Sequence, residues 1–517
     1  MPRASPVRIV KQLTAAGLNA EREAVTLLAG APDPDRAVEA VLDQVGTEAV
    51  TITAADVRPV LEDAPSRTPP ASASEGGTDT ADSEPASRTP SETSEGGSAS
   101  IRRDRSDGDA AGPDRDPVEP VIRGDVTGES TGTGEYEDFV SVFRDRYERL
   151  AAMLRGRVKH RPTDALESMP AGSEGAVIGL VSEVRSTRNG HRLIELEDTN
   201  GTFPALVMKD REFASAVDEL LLDEVIAVRG TLSDDGGLLF ADDLFFPDVP
   251  RTFEPTTADR HVQAALVSDL HVGSQEFRAG AWADFADWLS SPEAEAVEYL
   301  LIAGDLVEGV GVYPDQDEEL DVIDIYEQYE RFSERLKAVP GDLEIVMIPG
   351  NHDAVRLAEP QPAFDPELRE IMSAHDARIS GNPSTVTIEG VSILLYHGVS
   401  LDEVVAELPL EEVSYDRPDQ AMAQLLKKRH VAPAYGGKNR IAPETRDYLL
   451  IEDVPDVMHS GHVHKLGVGA YHGVRLVNSG CFQGQTSFQR SVNITPDVGT
   501  VPVLDLDTLD VTVRKFA

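Results

Sequence analysis

The stretch Leu301-Ile302-Ala303-Gly304-Asp305 is an apolar run that ends at a glycine and a carboxylate. A similar run at residues 264–271 ends in Asp-Leu-His, and another at residues 344–353 ends in Gly-Asn-His-Asp. Short apolar runs of this kind are typical of strands buried on both faces of a parallel sheet. Open α/β sheets carry their sites at the carboxyl ends of such strands. The three runs therefore predict parallel strands that present polar side chains at one edge.

Two later segments extend the same pattern. Residues 391–398 end in Tyr-His-Gly, and residues 457–464 end in Gly-His-Val-His. Helical patterns at residues 281–290 and 324–339 separate the strands, so the sheet is expected to be layered with helices. The C-terminal half is thus predicted to be an α/β domain whose site is supplied by five strand ends.

The charge balance is strongly acidic, with 92 Asp and Glu against 47 Lys and Arg and a formal net charge of −45. An acidic chain poor in lysine but normal in core composition suggests a halophilic protein from a salt-saturated cytoplasm, where self-repulsion is screened. At about 1 M salt the Debye length is only about 3 Å, so net charge does not exclude a DNA partner. Phosphate contacts alone bind weakly there, so DNA would need metals, stacking or another subunit.

The single cysteine, Cys481, excludes an intramolecular disulfide and a thiolate metal site. The first residues lead into an amphipathic segment rather than a signal peptide. No apolar stretch approaches the roughly 20 residues that a membrane helix needs. A soluble, cytoplasmic protein with no membrane partner is expected.

Composition divides the chain into five parts. Residues 1–62 are predicted to be a small helical docking module, and residues 63–134 a disordered acidic linker rich in Ser, Thr, Gly, Pro and Asp. Residues 135–165 carry a connecting helix with one apolar stripe. Residues 166–255 are predicted to be a β-barrel domain, and residues 256–517 the α/β domain.

The barrel prediction rests on five short strand patterns with a helical piece between the third and the fourth. Turn signals, Asn189-Gly190 and Asn200-Gly201, separate the first three strands. This order is that of an OB-fold barrel. Such barrels often bind single strands by stacking, but few surface aromatics are expected here. Nucleic-acid contact and a structural or subunit-docking role both stay open.

The candidate ligands at the strand ends are oxygen and nitrogen donors without sulfur: Asp269, His271, Asp305, Asn351, His397, His462 and His464. That donor set favours Mn²⁺, Fe²⁺ or Zn²⁺ in an expanded coordination shell over a tetrahedral structural zinc. Seven ligands are too many for one ion but suit two divalent ions with a shared bridge. Asp305, with two carboxylate oxygens on the central strand, is the natural bridge.

The five ordered blocks closely resemble those of the calcineurin-like metallophosphoesterases, a β-sandwich fold flanked by helices. The resemblance covers about residues 261–510. It implies that Asp269, His271, Asp305 and His464 hold one ion. It also implies that Asp305, Asn351, His397 and His462 hold the other, with Mn²⁺ the first candidate and Fe²⁺, Zn²⁺ or Mg²⁺ as alternatives. His352 resembles the family's histidine that assists the leaving group.

The domain order is similar to that of the small subunits of archaeal family-D DNA polymerases. This resemblance implies a 3′–5′ proofreading exonuclease that acts on DNA 3′ ends and pairs with a large catalytic polymerase subunit. Residues 425–443 resemble that family's basic insert and reverse the local sign of charge, as a surface that follows phosphates requires. The candidate DNA contacts in this insert are Lys427, Lys428, Arg429, Tyr435, Lys438 and Arg440.

Two other functions are compatible with the sequence. A non-catalytic assembly subunit of a polymerase would bind no metal. A small-molecule metallophosphodiesterase would cleave activated phosphodiesters without degrading DNA progressively. The complete set of seven ligands favours a catalytic protein over a scaffold.

Overall fold

The computed structural model describes residues 117–313, 316–408, 413–491 and 493–516, together with isolated residues and short runs between 19 and 60. The chain divides into two units, residues 1–95 and residues 96–517. In the described parts, no helix is long and apolar enough to cross a membrane.

In the first unit, a two-residue strand β1 (Asn19–Ala20) pairs in parallel with β2 (Thr51–Ile52). Residues 36–38 and 57–60 are helical, and Val38 is buried. The prediction of a purely helical module therefore missed a strand pair. Residues 1–18 of the predicted module lie outside the described residues.

The predicted linker is wrong at its C-terminal end, because residues 121–123 form a strand. This strand, β3 (Val121–Arg123), pairs antiparallel with the edge of a sheet in the α/β domain. Beyond it, Val126 is buried, and Ser130 donates a hydrogen bond to Glu444. The backbone groups of a polar segment are satisfied here by a sheet edge that only the distant C-terminal strands supply. Residues 63–116 lie outside the described residues.

The connecting helix and the barrel follow. Helix α1 (Tyr136–Arg155) and the short helix α2 (Thr163–Glu167) lead into a closed barrel with the strand order β4-β5-β6-β8-β7. Its strands are β4 (Glu174–Ser186), β5 (Arg192–Asp198), β6 (Gly201–Val207), β7 (Val225–Leu232) and β8 (Leu239–Phe245). A 3₁₀ helix, Ala214–Glu219, lies between the third and fourth strands, as predicted. The barrel is OB-like.

The C-terminal domain is a sandwich of two six-stranded sheets, ordered β12-β11-β10-β9-β18-β19 and β16-β17-β15-β14-β13-β3. The first sheet contains β9 (Gln263–Val267), β10 (Val297–Ala303), β11 (Glu344–Ile348), β12 (Arg378–Ile379), β18 (Thr500–Asp505) and β19 (Val511–Lys515). The second contains β13 (Ser384–Ile388), β14 (Val391–Leu395), β15 (Val457–Ser460), β16 (Leu466–Tyr471) and β17 (Val474–Ser479), with β3 at its edge. The predicted strands β9, β10 and β11 are parallel neighbours.

Helices cover the outer faces of the sandwich. The helices of this domain are α3 (Ala279–Leu289), α4 (Ile325–Leu336), α5 (Pro366–Ile371), α6 (Leu401–Glu407), α7 (Pro418–Lys428) and α8 (Ser487–Ser491). Alternate residues of β10 enter different cores: Leu301 packs between the sheets, whereas Leu300 and Ile302 pack against α3 and α4. Burial on both faces explains why β10 is apolar at nearly every position.

The connecting helix is fastened to the α/β domain through a buried charge network. Arg146 of α1 is fully buried, and its Nε donates to Asp447 at 2.7 Å. His430 Nε2 lies 2.9 Å from the same carboxylate oxygen, and Arg146 Nη1 also donates to the carbonyl of Pro433 at 2.6 Å. On its other side, α1 packs against barrel strands β4 and β7. This network therefore joins three parts of the chain.

Candidate metal centre

The polar side chains predicted at the strand ends come together at one edge of the sandwich. Asp269, His271, Asp305, His462 and His464 have positive φ angles, between 52° and 71°. Such angles are uncommon for residues with a Cβ and cost on the order of 1–3 kcal/mol each. Backbone strain concentrated at five neighbouring polar residues is characteristic of a functional site.

One group of donors consists of Asp269, His271 and His464, all buried. His464 Nε2 lies 3.4 Å from Asp269 Oδ1, and the Nε2 atoms of the two histidines are 3.0 Å apart. Two imidazole nitrogens this close repel one another if both are protonated. The geometry instead suits two lone pairs that converge on a cation.

The second group of donors is formed by Asp305, Asn351, His397 and His462. His397 Nε2 lies 3.0 Å from Asn351 Oδ1 and 3.2 Å from Asp305 Oδ2. Its Nδ1 lies 2.8 Å from the carbonyl oxygen of Ala303. Because a carbonyl can only accept, Nδ1 carries a proton, and in the neutral ring the lone pair is therefore on Nε2. The strand end thus sets the tautomer that a metal requires.

Asp305 lies between the two groups. Its Oδ2 atom is 3.2 Å from His397 Nε2 and 3.6 Å from His271 Nε2. Burial alone would raise the pKa of Asp305, but the nearby histidines hold it well below its usual range. Burial would lower the pKa of His397, whereas the carboxylates, Asp305 foremost, raise it to about 9. Asp305 and His397 thus each stabilise the charged form of the other.

Glycines allow the strand ends to approach these carboxylates. A Cβ on Gly350 would collide with Asp305 Oδ1, and a Cβ on Gly461 would collide with Asp269 Oδ2. A side chain at either position would displace a donor. Gly350 and Gly461, which directly precede Asn351 and His462, therefore have a steric role at the site.

Glu308 is a site residue that the sequence analysis missed. Its carboxylate is almost fully buried, and Oε2 lies 2.8 Å from His271 Nδ1. Burial opposes its charge, but His271 lowers the pKa of Glu308 to about 2. A carboxylate behind a histidine orients the ring and increases its basicity. An acidic residue between Val307 and Gly309, three positions after Asp305, was the available signal.

Replacing Glu308 with Gln is expected to raise the Mn²⁺ concentration needed for half-maximal activity by about 10–100-fold, as loss of such an outer partner does. The amide keeps the shape of the side chain but removes the charge that faces His271 Nδ1. Titration of phosphodiester hydrolysis with Mn²⁺ measures the effect. The exposed Glu318→Gln is the matched control, and equal half-saturation in both variants would contradict this role.

His352 is held beside the two groups by main-chain contacts. Its backbone N–H donates to Asp305 Oδ1 at 2.8 Å, and its Nδ1 lies 2.8 Å from the carbonyl oxygen of Glu308. The carbonyl requires a proton on Nδ1, so Nε2 is the ring atom free to meet a substrate. The side chain is 18% exposed, unlike His271 at 2%. Solvent therefore reaches His352, as it reaches His462, whose side chain is 16% exposed.

Asp402 is a second residue that the sequence did not indicate. It lies in α6, and its Oδ2 is 3.7 Å from His462 Nε2 and 3.5 Å from Lys438 Nζ. Burial opposes ionisation of Asp402, but His462 and Lys438 lower its pKa below the usual range. Asp402 lies in a helix seven positions after the end of β14 and not directly at a strand end, so the strand-end pattern did not indicate it.

The basic insert is largely an interdomain contact. Lys428 is fully buried; its Nζ donates to the carbonyl of Glu219 at 2.8 Å and lies 3.4 Å from Glu224 Oε2. Lys427 pairs with the Glu219 side chain, and Arg429 is buried, donating to the Ile451 carbonyl at 2.7 Å. The prediction that these three residues face DNA is wrong in this structure. Their side chains are already paired with acidic groups of the barrel and with main-chain carbonyls.

The remaining candidates of the insert are exposed. Lys438 has a side chain that is 54% exposed, Arg440 is exposed, and Tyr435 is 44% exposed while its ring contacts Phe139 and Phe143. Lys438 is also tied to the site through Asp402. These three residues stay candidates for contact with a substrate.

The comparisons with known proteins agree with this geometry. Residues 263–466 match the calcineurin-like phosphoesterase family. The whole chain is 64% identical, over 527 aligned residues and 100% of both chains, to the DNA polymerase II small subunit of Halobacterium salinarum. It is 44% identical to that of Archaeoglobus fulgidus (73% of this chain, 77% of the relative) and 39% identical to that of Methanothermobacter thermautotrophicus (74% and 80%). The chain belongs to the DNA polymerase II small-subunit family and carries a calcineurin-like phosphoesterase domain.

Proposed function

We propose that this chain is a metal-dependent 3′–5′ exonuclease that removes mismatched nucleotides for a partner polymerase subunit. The observation that supports this most strongly is the position of Asp305 Oδ2, 3.2 Å from His397 Nε2 and 3.6 Å from His271 Nε2. A single carboxylate oxygen facing two groups of donors is the arrangement that a shared ligand of two cations needs. A scaffold protein has no use for it.

The donor groups fit two divalent cations. Asp269, His271 and His464 would hold one ion, and Asn351, His397 and His462 the other, with Asp305 shared. When bound, two such ions polarise a phosphodiester and lower the pKa of a water that attacks it. Oxygen and nitrogen donors without sulfur suit Mn²⁺ first, with Fe²⁺, Zn²⁺ and Mg²⁺ as alternatives.

His352 supplies the proton chemistry of the proposed reaction. Its Nδ1 is held at the Glu308 carbonyl, so a proton on Nε2 can be donated to the oxygen of the leaving deoxyribose. Donation of a proton by a positioned imidazole to a leaving oxygen is general acid catalysis. Since His352 belongs to neither proposed ligand group, its loss should spare metal binding.

The partner and the substrate follow from the relatives. Proteins named as small subunits imply a large subunit, and we propose that this chain pairs with a catalytic polymerase chain. DNA with a free 3′ end is the proposed substrate. The exposed residues Tyr435, Lys438 and Arg440 and the OB-like barrel are the proposed surfaces for DNA or for the partner.

Digestion of a primer with a mismatched 3′ end and a label at its 5′ end tests the function. The full chain with Mn²⁺, alone and with its large subunit, should yield labelled products that shorten one nucleotide at a time. His352→Ala should lower kcat about 10²–10⁴-fold, because it removes a general acid. Its bound metal, measured by elemental analysis, should equal that of the wild type.

The control is His472→Ala, an exposed histidine in the turn between β16 and β17, which should digest the primer at the wild-type rate. Immediate release of a labelled mononucleotide would indicate the opposite polarity. A wild-type chain that binds no divalent metal and leaves the primer intact would be a non-catalytic assembly subunit. Turnover of bis-p-nitrophenyl phosphate without shortening of DNA would indicate a small-molecule phosphodiesterase.

A further inference from the structure

The segment that follows β17 returns to the metal centre. Gln489 of α8 is 8% exposed, and its side-chain amide lies 2.9 Å from His464 Nδ1. Farther along, the N–H of Asp497 donates to the carbonyl of His464 at 2.8 Å. The segment is therefore attached to one proposed metal ligand at two points, Gln489 and Asp497.

Internal hydrogen bonds hold the segment in shape. Gln485 donates to the carbonyl of Ile494 at 2.7 Å. Thr486 and Gln489 exchange a reciprocal pair, from the Thr486 N–H to Gln489 Oε1 and from the Gln489 N–H to Thr486 Oγ1, each 3.2 Å long. A side chain carried by this segment consequently has a defined position relative to His464.

Phe488 is that side chain. It precedes Gln489 directly, but whereas Gln489 is buried against the site, Phe488 is 65% exposed. Phe482, six positions earlier, is by contrast 1% exposed and packs against Trp282 and Phe285. A phenyl ring this exposed contributes little to a core, and its backbone is joined to the metal centre through the next residue, Gln489, which contacts His464. The ring is therefore available for an external contact next to the residue that reaches the site.

We propose that Phe488 is the platform on which the base at the 3′ end of the DNA stacks, so that it positions the terminal phosphodiester. This inference rests on the proposed exonuclease function. Stacking on an aromatic ring accepts any of the four bases, because each base has a π face. That tolerance suits an enzyme that must remove whichever nucleotide is mispaired.

The acidic composition of the protein suggests that it works in concentrated salt, which favours base stacking over phosphate contacts. In concentrated salt, counterion release contributes little to binding, whereas apolar burial is strengthened or unaffected by many salts. One cation nevertheless accompanies the ring: the Arg490 guanidinium donates to Gln485 O at 2.9 Å and to Ser487 Oγ at 3.3 Å. Among the described residues, no carboxylate pairs with it. Its charge is available to the phosphodiester on the 5′ side of the stacked nucleotide.

A protein interface is the competing use of an exposed phenylalanine. The attachment of the segment to His464 favours the substrate, because a docking surface needs no coupling to a metal ligand. If Phe488 instead belongs to a protein interface, its replacement should weaken binding of the large subunit and leave the KM for DNA unchanged.

The test compares two single-stranded oligonucleotides that differ only at the 3′ end, one with a normal terminal nucleotide and one with an abasic terminal residue. The wild-type complex with Mn²⁺ should show a KM about tenfold lower for the normal end, within the range that a base–aromatic stack produces. Phe488→Ala should raise the KM for the normal end about tenfold and remove the difference between the two ends. Phe488→Trp should restore it.

Phe488→Ala should keep the wild-type metal content, since Phe488 is not a ligand. Tyr136→Ala, at an aromatic that is 81% exposed at the start of α1, is the matched control and should behave as the wild type. A Phe488→Ala enzyme that still distinguishes the two ends would overturn the proposal. So would an unchanged KM with weaker binding of the large subunit. Failure of the wild type to degrade either oligonucleotide would instead overturn the exonuclease function itself.

Discussion

Asp305→Asn is expected to remove metal from both donor groups and to slow DNA hydrolysis by at least ~10³-fold. Loss of one preorganised electrostatic group typically costs 10²–10³ in kcat, and this substitution affects two proposed ions together. The amide has nearly the same shape as the carboxylate, so the sandwich should fold. It offers one weakly basic oxygen where the carboxylate oxygen faces His397 and His271.

Elemental analysis and single-turnover digestion of a 5′-labelled primer measure the two effects. The metal content should fall from about two ions per chain to below one. Asp321→Asn, at a carboxylate that is 68% exposed in the same domain, is the control and should leave both quantities unchanged. Retention of one full equivalent of metal would show that Asp305 serves a single ion and is not shared.

Arg146→Leu is expected to lower the free energy of unfolding by about 3–5 kcal/mol, the usual cost of removing one partner from a buried ion pair. Asp447 would then be left buried without its closest cation, and the carbonyl of Pro433 would lose its donor. Leucine retains apolar volume in α1, so lost packing contributes little. Chemical denaturation followed by circular dichroism measures the loss.

The control is Arg144→Leu, an exposed arginine of the same helix, for which a change within about 0.5 kcal/mol is expected. Equal stability of the two variants would show that the buried network does not fasten α1 to the α/β domain.

The same network predicts how stability depends on pH. Burial and the neighbouring Arg146 lower the pKa of His430 to about 4. The unfolded chain takes up a proton at this histidine near pH 6.5, well before the folded chain does. The stability that His430 contributes is therefore complete above about pH 6.5 and is lost as the pH falls towards 4. In Arg146→Leu this dependence should weaken, because the repulsion from Arg146 is gone.

Much of the fold was predictable because it depends on local patterns. The apolar runs that end at Asp269, Asp305 and Asn351 are parallel strands, and the five strands with an intervening helical piece form a closed barrel. Burial on both faces enforces such apolar runs, so they are visible without a structure. The residues that converge on the candidate site follow from the same reasoning, since parallel strands end at a common edge.

Residues whose partners are remote in sequence were not predictable in this way. Lysines and arginines normally mark exposed surface, yet Lys428 and Arg429 are buried in the interface with the barrel. Their partners, Glu219, Glu224 and Asp248, lie about two hundred positions earlier. A local reversal of charge cannot distinguish a surface for DNA from a surface for another domain.

The sequence by itself determined the strand patterns of the barrel and of the α/β domain and the identity of the side chains at the strand ends. Periodicity and turn residues act over a few positions, and the chain therefore displays them directly. The tertiary structure alone decided that Glu308 lies behind His271, that β3 completes a sheet, and that Phe488 is exposed while Gln489 reaches His464. These features depend on contacts between residues that are far apart in sequence. Only the packing of the sheets and helices in three dimensions decides which of those residues meet.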